Sequence, residues 1–209
     1  MINLHNTDCM EFMRNVADKY YDLAIVDPPY GIGIDGQKAT INKNPKHNRK
    51  EHTKKEWDNK IPNEHYFNEL FRVSNNQIVW GGNYMTEYLK PTKAWIFWYK
   101  GQNDLTMSDG ELAWTSFDGV TRQVEINRGI LNNQNTFHPT EKPIKLYKWL
   151  LDKYAKQGDK ILDTHGGSMS IAIACHDYGF DLDLCELDKD YFEAGKKRLE
   201  NHMLQTKLF

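Results

Sequence analysis

The chain has 209 residues, 39% hydrophobic and 27% charged, which suits one domain with a sizeable core and excludes a disordered tail protein. Its net charge of −2 points to no polyanionic partner by itself, and a mean hydropathy of −0.75 without a long apolar run argues against a membrane span. Nothing near Ile2 resembles a signal peptide, and the three cysteines (Cys9, Cys175, Cys185) lack CxxC spacing. A cytoplasmic chain without a structural metal is the expectation.

In chain order, strands are predicted at Ile2–His5, Leu23–Val26, Gln77–Trp80, Ala94–Trp98, Glu111–Thr115, Ile161–Asp163 and Asp181–Glu186. Helical patterns fall at Cys9–Val16, Glu64–Val73, Ile144–Tyr154, Ser170–Tyr178 and Asp190–Met203. Seven strands with helices among most of them predict an α/β fold with a mostly parallel sheet and helices on both faces. From about 34 to 60 the apolar pattern disappears and a long mobile surface loop is expected. Seven basic residues there (Lys38, Lys43, Lys46, Arg49, Lys50, Lys54, Lys55) against one acid, Glu51, give a local +6 and leave −8 elsewhere. This segment is the first place to look for a hold on a phosphate backbone, a solvated loop being the alternative. No repeat or linker divides the chain, so 1–209 is read as one domain.

Two stretches carry chemistry. In YDLAIVDPPYGIG a buried strand ends on Asp27-Pro28-Pro29-Tyr30. Proline cannot continue a central strand, so the chain turns outward at the strand's carboxyl end, where open α/β sheets bind ligands. A carboxylate and stiffly held carbonyls then form an acceptor pair suited to an amino group on a planar ring that stacks on Tyr30; a rigid turn with an exposed Tyr is the alternative. In KILDTHGGSMSIAIACHDYGFDLDLCELDKDYF, Gly166 and Gly167 permit a tight turn close to a ligand, and Glu186 follows Asp163 by 23 positions. Dinucleotide-binding units place a ribose-holding acid at about this distance. Without a following Lys it is not a P-loop, and without GxGxxG a dehydrogenase is poorly supported. A nucleoside-bearing cofactor, or plain structural glycines, remain.

With these residues in view, the chain resembles the amino-group DNA methyltransferases of the β-class motif order. Asp27-Pro28-Pro29-Tyr30 resembles their catalytic motif, and His138-Pro139-Thr140-Glu141-Lys142-Pro143 resembles the HPTxKP segment before their cofactor loop. Gly81-Gly82-Asn83-Tyr84 and Glu111-Leu112-Ala113-Trp114 resemble further segments of the catalytic half, and the likeness, strongest to small phage-type or solitary modification methylases, runs from Thr7 to Leu199. It implies a Rossmann-like fold with a catalytic half at about 20–130 and a cofactor half at about 138–209 plus 1–12. The implied cofactor is S-adenosylmethionine, with His138, Thr140, Lys142, Asp163, Thr164, His165, Gly166, Gly167, Ser168 and Glu186 as its holders. Asp8 matches the acid that meets the cofactor's adenine amino group, while an N-cap role is equally consistent with the sequence. The family's cofactor turn is DPFxGSGT; here Thr164, His165 and Met169 replace its Pro, its Phe and its second glycine.

The activity implied is methyl transfer to the N6 of an adenine flipped out of double-stranded DNA, with no metal and with Asp27, Pro28, Pro29 and Tyr30 as the catalytic turn. Cytosine N4 offers the same two hydrogens and is the runner-up; a non-catalytic nucleic-acid-binding relative is the alternative from another class. Trp114 is a candidate second wall for the base, although a Trp on an alternating strand is more often core, and the seven basic residues are candidate DNA contacts. The stretch from Phe117 to Phe137 is short for a recognition domain, which points to a short or relaxed target or a homodimer sharing recognition. A cognate restriction endonuclease is left open.

Overall fold

The computed structural model describes residues 1–36, 54–101, 108–127 and 137–206. Its eight strands are β1 (Ile2–His5), β2 (Tyr21–Val26), β3 (Ser74–Trp80), β4 (Ile96–Tyr99), β5 (Gly110–Thr115), β6 (Arg122–Glu125), β7 (Lys160–Asp163) and β8 (Asp181–Cys185). The helices are α1 (Cys9–Arg14), α2 (Glu64–Val73), α3 (Ile144–Tyr154), α4 (Ser170–Tyr178) and α5 (Lys189–Thr206). They form one sheet in the order β1-β8-β7-β2-β3-β5-β4-β6, parallel except where β5 pairs antiparallel with β3 and β4.

Central strands are apolar on both sides because both faces are covered. Along β2, Leu23 and Ile25 join the core beneath α3, α4 and α5, whereas Ala24 and Val26 join the core beneath α1 and α2. The predicted layers are therefore correct, but among the described residues the sheet has eight strands rather than seven. The additional one, β6, contains a single buried residue, Val124, and pairs in parallel with β4 at the sheet's edge. Backbone hydrogen bonds to a neighbour hold it, so the side-chain pattern gives little sign of it.

Helix starts follow their caps. The Asp8 side chain accepts the Met10 N–H at 2.6 Å and Asn63 accepts the Tyr66 N–H at 3.2 Å, each satisfying an otherwise orphaned donor. The start of α4 is different. Met169 takes a left-handed conformation (φ 57°), as the glycine it replaces would, at a cost on the order of 1–3 kcal/mol. Its side chain is fully buried against Gly195 of α5, where an added Cβ would lie 2.6 Å from Met169 Cγ. The missing glycine at 169 is thus matched by a glycine on the facing helix. Replacing Gly195 by Ala is expected to cost about 1–3 kcal/mol through overpacking; an unchanged thermal melting temperature would show that Met169 has room to move.

Candidate active site

Two cavities open at the carboxyl ends of the central strands, and the turn after β2 forms part of both walls. One, of about 540 Å³, is bounded by Asp8, His138, Thr140, the Thr164–Ser168 turn after β7 and Glu186 after β8. The other, also about 540 Å³, is bounded by Tyr30, Tyr84, Phe97, Lys100 and Glu111. Asp27, Pro29, Trp57, Thr140 and Lys142 line both.

The turn itself is tightly held. The Asp58 carboxylate, fully buried, accepts the N–H groups of Tyr30 at 2.7 Å, Gly31 at 2.9 Å and Ile34 at 2.9 Å. Tyr30 lies over Gly81, whose left-handed backbone (φ 66°) and missing side chain make the approach possible; a Cβ there would stand 2.1 Å from the Tyr30 ring. Tyr84 stacks on Tyr30 with ring centroids 5.2 Å apart. The Tyr30 hydroxyl donates to Asp27 Oδ1 at 2.7 Å.

Lys142 occupies an unexpected place. Its ammonium lies 2.5 Å from Asp27 Oδ2 and 3.1 Å from Glu111 Oε2, and Glu111 Oε1 in turn lies 2.6 Å from Lys100 Nζ. The lysine implied as a cofactor holder is therefore a direct partner of the proposed catalytic carboxylate. Burial pushes the Asp27 carboxyl up; Lys142 opposes the rise and Glu111 adds to it. Burial also works against Glu111 ionising, yet Lys142 and Lys100 overcome it and hold that carboxyl at about 2. Burial disfavours the Lys142 cation, but the two carboxylates outweigh it and raise Lys142 above an ordinary lysine.

In the first cavity, Glu186 bridges two turns: Oε2 accepts the Gly167 N–H at 2.7 Å and Oε1 the Asp188 N–H at 2.8 Å. Each oxygen keeps a further lone pair for a ligand hydroxyl. Gly166 is pressed against β8, where a Cβ would sit 2.3 Å from Leu184 Cδ2. The residues standing for the family's Pro-Phe form a polar cluster: Thr164 Oγ1 is 2.7 Å from the Tyr66 hydroxyl and 2.9 Å from His165 Nδ1. Burial lowers His165 to about 4, so its ring is neutral near pH 7. His138 packs edge-on against Tyr191 at 4.5 Å and lies 3.2 Å from the Thr140 hydroxyl. Asp8 caps α1 and lines the cavity as well, so its two sequence readings are compatible.

Several expected positions are corrected. Asp163 is 2% exposed and absent from both cavity walls; it accepts the His165 N–H at 3.0 Å and so shapes the turn from beneath. Trp114 is a core residue on the α2 side of the sheet, 4% exposed, with its indole N–H donated to the Lys90 carbonyl. Lys55 is engaged within the chain: it binds both Asp188 oxygens, at 2.6 and 2.8 Å, reaches Asp190 and lies over the Tyr191 ring. Lys54 is exposed. Lys38, Lys43, Lys46, Arg49 and Lys50 lie outside the described residues. Asp58, Trp57, Tyr66 and Lys100 had no sequence motif to announce them, since their roles come from contacts 24 or more positions away (Asp58 to Ile34, Tyr66 to Thr164) or from a wall assembled in space. Among the described residues no group of three or more His, Cys, Asp or Glu could hold a metal, and no helix is long and apolar enough to cross a membrane.

A family model described as DNA methylase, the N6/N4 group, matches residues 73–197. The chain belongs to this DNA methylase family. It is 23% identical to the type II methyltransferase M.HpaI of Haemophilus parainfluenzae, over 93% of this chain and 73% of that one. Among solved structures, a complex of M1.HpyAVI with S-adenosylmethionine matches with a TM-score of 0.63 at 18% identity, covering 95% of this chain and all of that one. The cytosine-N4-specific PvuII DNA methyltransferase matches with a TM-score of 0.64 at 12% identity, over 96% and 90% of the two chains. Both likenesses confirm the shared fold.

The charge state of this methyltransferase's turn after β7 has a stability consequence. Burial raises Asp163 from 3.8 to about 8, so the folded chain keeps a proton that the unfolded chain releases. Stability from this group is full below pH about 4 and declines as pH rises towards 8. Asp163→Asn is expected to lose less melting temperature than the wild type between pH 5 and 8; parallel curves would show that Asp163 ionises normally.

Proposed function

We propose that this methyltransferase transfers a methyl group from S-adenosylmethionine to the N6 amine of an adenine turned out of double-stranded DNA. The observation that supports it most is the Asp27–Tyr30 turn on the wall common to the two cavities. The first cavity fits the cofactor: it has the volume of a small-molecule site, the Gly166-Gly167 turn in its wall, and a carboxylate with free lone pairs. There Glu186 would hold the ribose hydroxyls, with Asp8, His138, Thr140, Thr164, His165, Gly166, Gly167 and Ser168 as the surrounding wall. When bound, S-adenosylmethionine supplies an electrophilic methyl group on a positively charged sulfur.

The chain's own residues prepare the acceptor. An aromatic amine is a poor nucleophile because its lone pair is delocalised into the ring. Asp27 and the Pro28 carbonyl each accept one N–H, which draws the nitrogen towards a tetrahedral shape with its lone pair free. This is catalysis by positioning and electrostatics. Positive charge develops on the nitrogen as its new bond forms, and the Asp27 carboxylate faces that charge and takes the surplus N–H proton towards solvent. Turning the base out costs a few kcal/mol; stacking against the Tyr30–Tyr84 pair returns about 1–3 kcal/mol of it.

Adenine is preferred over cytosine because the motif carries Asp27 rather than Ser, and a cavity of about 540 Å³ accommodates a purine. The division into a catalytic half at about 20–130 and a cofactor half at about 138–209 plus 1–12 agrees with β1 pairing beside β8. The basic segment from Lys38 to Lys50 is assigned to DNA phosphates by its charge and its position directly after the catalytic turn.

The expected product on methylated DNA is N6-methyladenine, read by nucleoside analysis after digestion. Recovery of N4-methylcytosine alone would replace the adenine reading. Asp27→Ala should abolish transfer while binding S-adenosylmethionine as the wild type does; substantial residual activity would remove Asp27 from the role given to it.

A further inference from the structure

Asp27 cannot serve the amine well while a cation sits on it. An ammonium at hydrogen-bond distance draws charge from the carboxylate and opposes positive charge on the acceptor nitrogen. Lys142 stands at that distance from Asp27 Oδ2, yet Glu111 Oε2 is only 3.1 Å from the same ammonium. We propose that Glu111 is a positioning residue for methyl transfer, the second seat that takes the Lys142 ammonium so that Asp27 is free to face the target amine. The inference rests on the assignment of Asp27 to that amine.

The geometry supports such an exchange. Both seats are within reach of Lys142 Nζ without backbone movement, so rotation of the lysine side chain suffices. Glu111 is fixed on β5, and its other oxygen is held by Lys100, itself buried and lying over the Trp98 ring at 5.3 Å. The Tyr30 hydroxyl stands among the three groups, 2.7 Å from Asp27, 3.2 Å from Lys142 and 3.5 Å from Glu111. Glu111 keeps its charge under all ordinary conditions, whereas Asp27 is the more easily protonated of the two acids. The ammonium therefore has a permanent anion beside a conditional one. No bond or proton changes hands in the exchange.

The groups facing Asp27 are Lys142 ahead of α3, Glu111 on β5, Tyr30 in its own turn, Tyr147 on α3 and Asp163 at the end of β7. Glu111 raises the Asp27 carboxyl, and its loss would leave Asp27 as the only carboxylate on Lys142. Glu111→Gln should therefore pair Lys142 permanently with Asp27 and lower the pKa of Asp27.

The test compares wild type, Glu111→Gln and Glu111→Asp in calorimetric binding of S-adenosylmethionine and in the pH dependence of kcat and of kcat/KM for DNA. Glu111→Gln is expected to bind the cofactor as the wild type does and to lose roughly 10²-fold in kcat. The acid limb of its kcat/KM profile should move to lower pH, a change that a purely structural role would not produce. Glu111→Asp should restore the wild-type limb and much of the rate. Should Glu111→Gln fail to fold, a folded Glu111→Asp enzyme whose acid limb is displaced from the wild type would overturn the proposal, and a retained limb and rate would support it. A Glu111→Gln enzyme with wild-type kcat, or with its acid limb unmoved or raised, also overturns it. If Asp27→Ala is itself active, the reading of Asp27 fails first, which separates the two failures.

Discussion

The site is organised around one buried ammonium shared by two carboxylates. Lys142, 2% exposed, ties the turn after β2 to β5, and Lys100 completes a cluster of two cations and two anions with no net charge. Buried charges persist only when each is paired, and removing one leaves the others costly and unmatched. The walls of the two cavities are thereby fixed to each other. Lys142 comes from the segment ahead of α3 and Glu111 from the antiparallel strand, so neither half of the sheet builds this corner alone.

Around that corner, the chain relies on backbone capture rather than on long side chains. Asp58 gathers the N–H groups of Tyr30, Gly31 and Ile34 after β2, and Glu186 gathers one from each of the two turns that frame the first cavity. A carboxylate that accepts several backbone donors satisfies groups that would otherwise be buried without partners, and it sets loop geometry at the same time. The exchange between Met169 and Gly195 works on the same economy of space: a left-handed position keeps a large side chain because the opposite helix offers none.

The turn after β7 departs from the DPFxGSGT pattern without losing its form. Thr164 and His165 replace two apolar residues, and Tyr66 of α2 supplies a hydrogen-bonding partner that makes the polar pair tolerable in a buried place. Met169 points into the core and does not line the first cavity, so the most conspicuous departure lies outside that wall.

The sequence by itself determined the layered α/β fold, the strands that lead to Asp27 and end on Asp163, and the family, because strand periodicity, proline stops and glycine turns are local properties of the chain. Helices α2, α3 and α4 were legible to the residue for the same reason. It did not determine which side of the sheet Trp114 occupies, that β6 exists, that Lys55 joins Asp188, or that Lys142 belongs to Asp27. Those facts depend on groups up to 133 positions apart meeting in a low-dielectric interior, where only the packed arrangement decides which charge finds which partner.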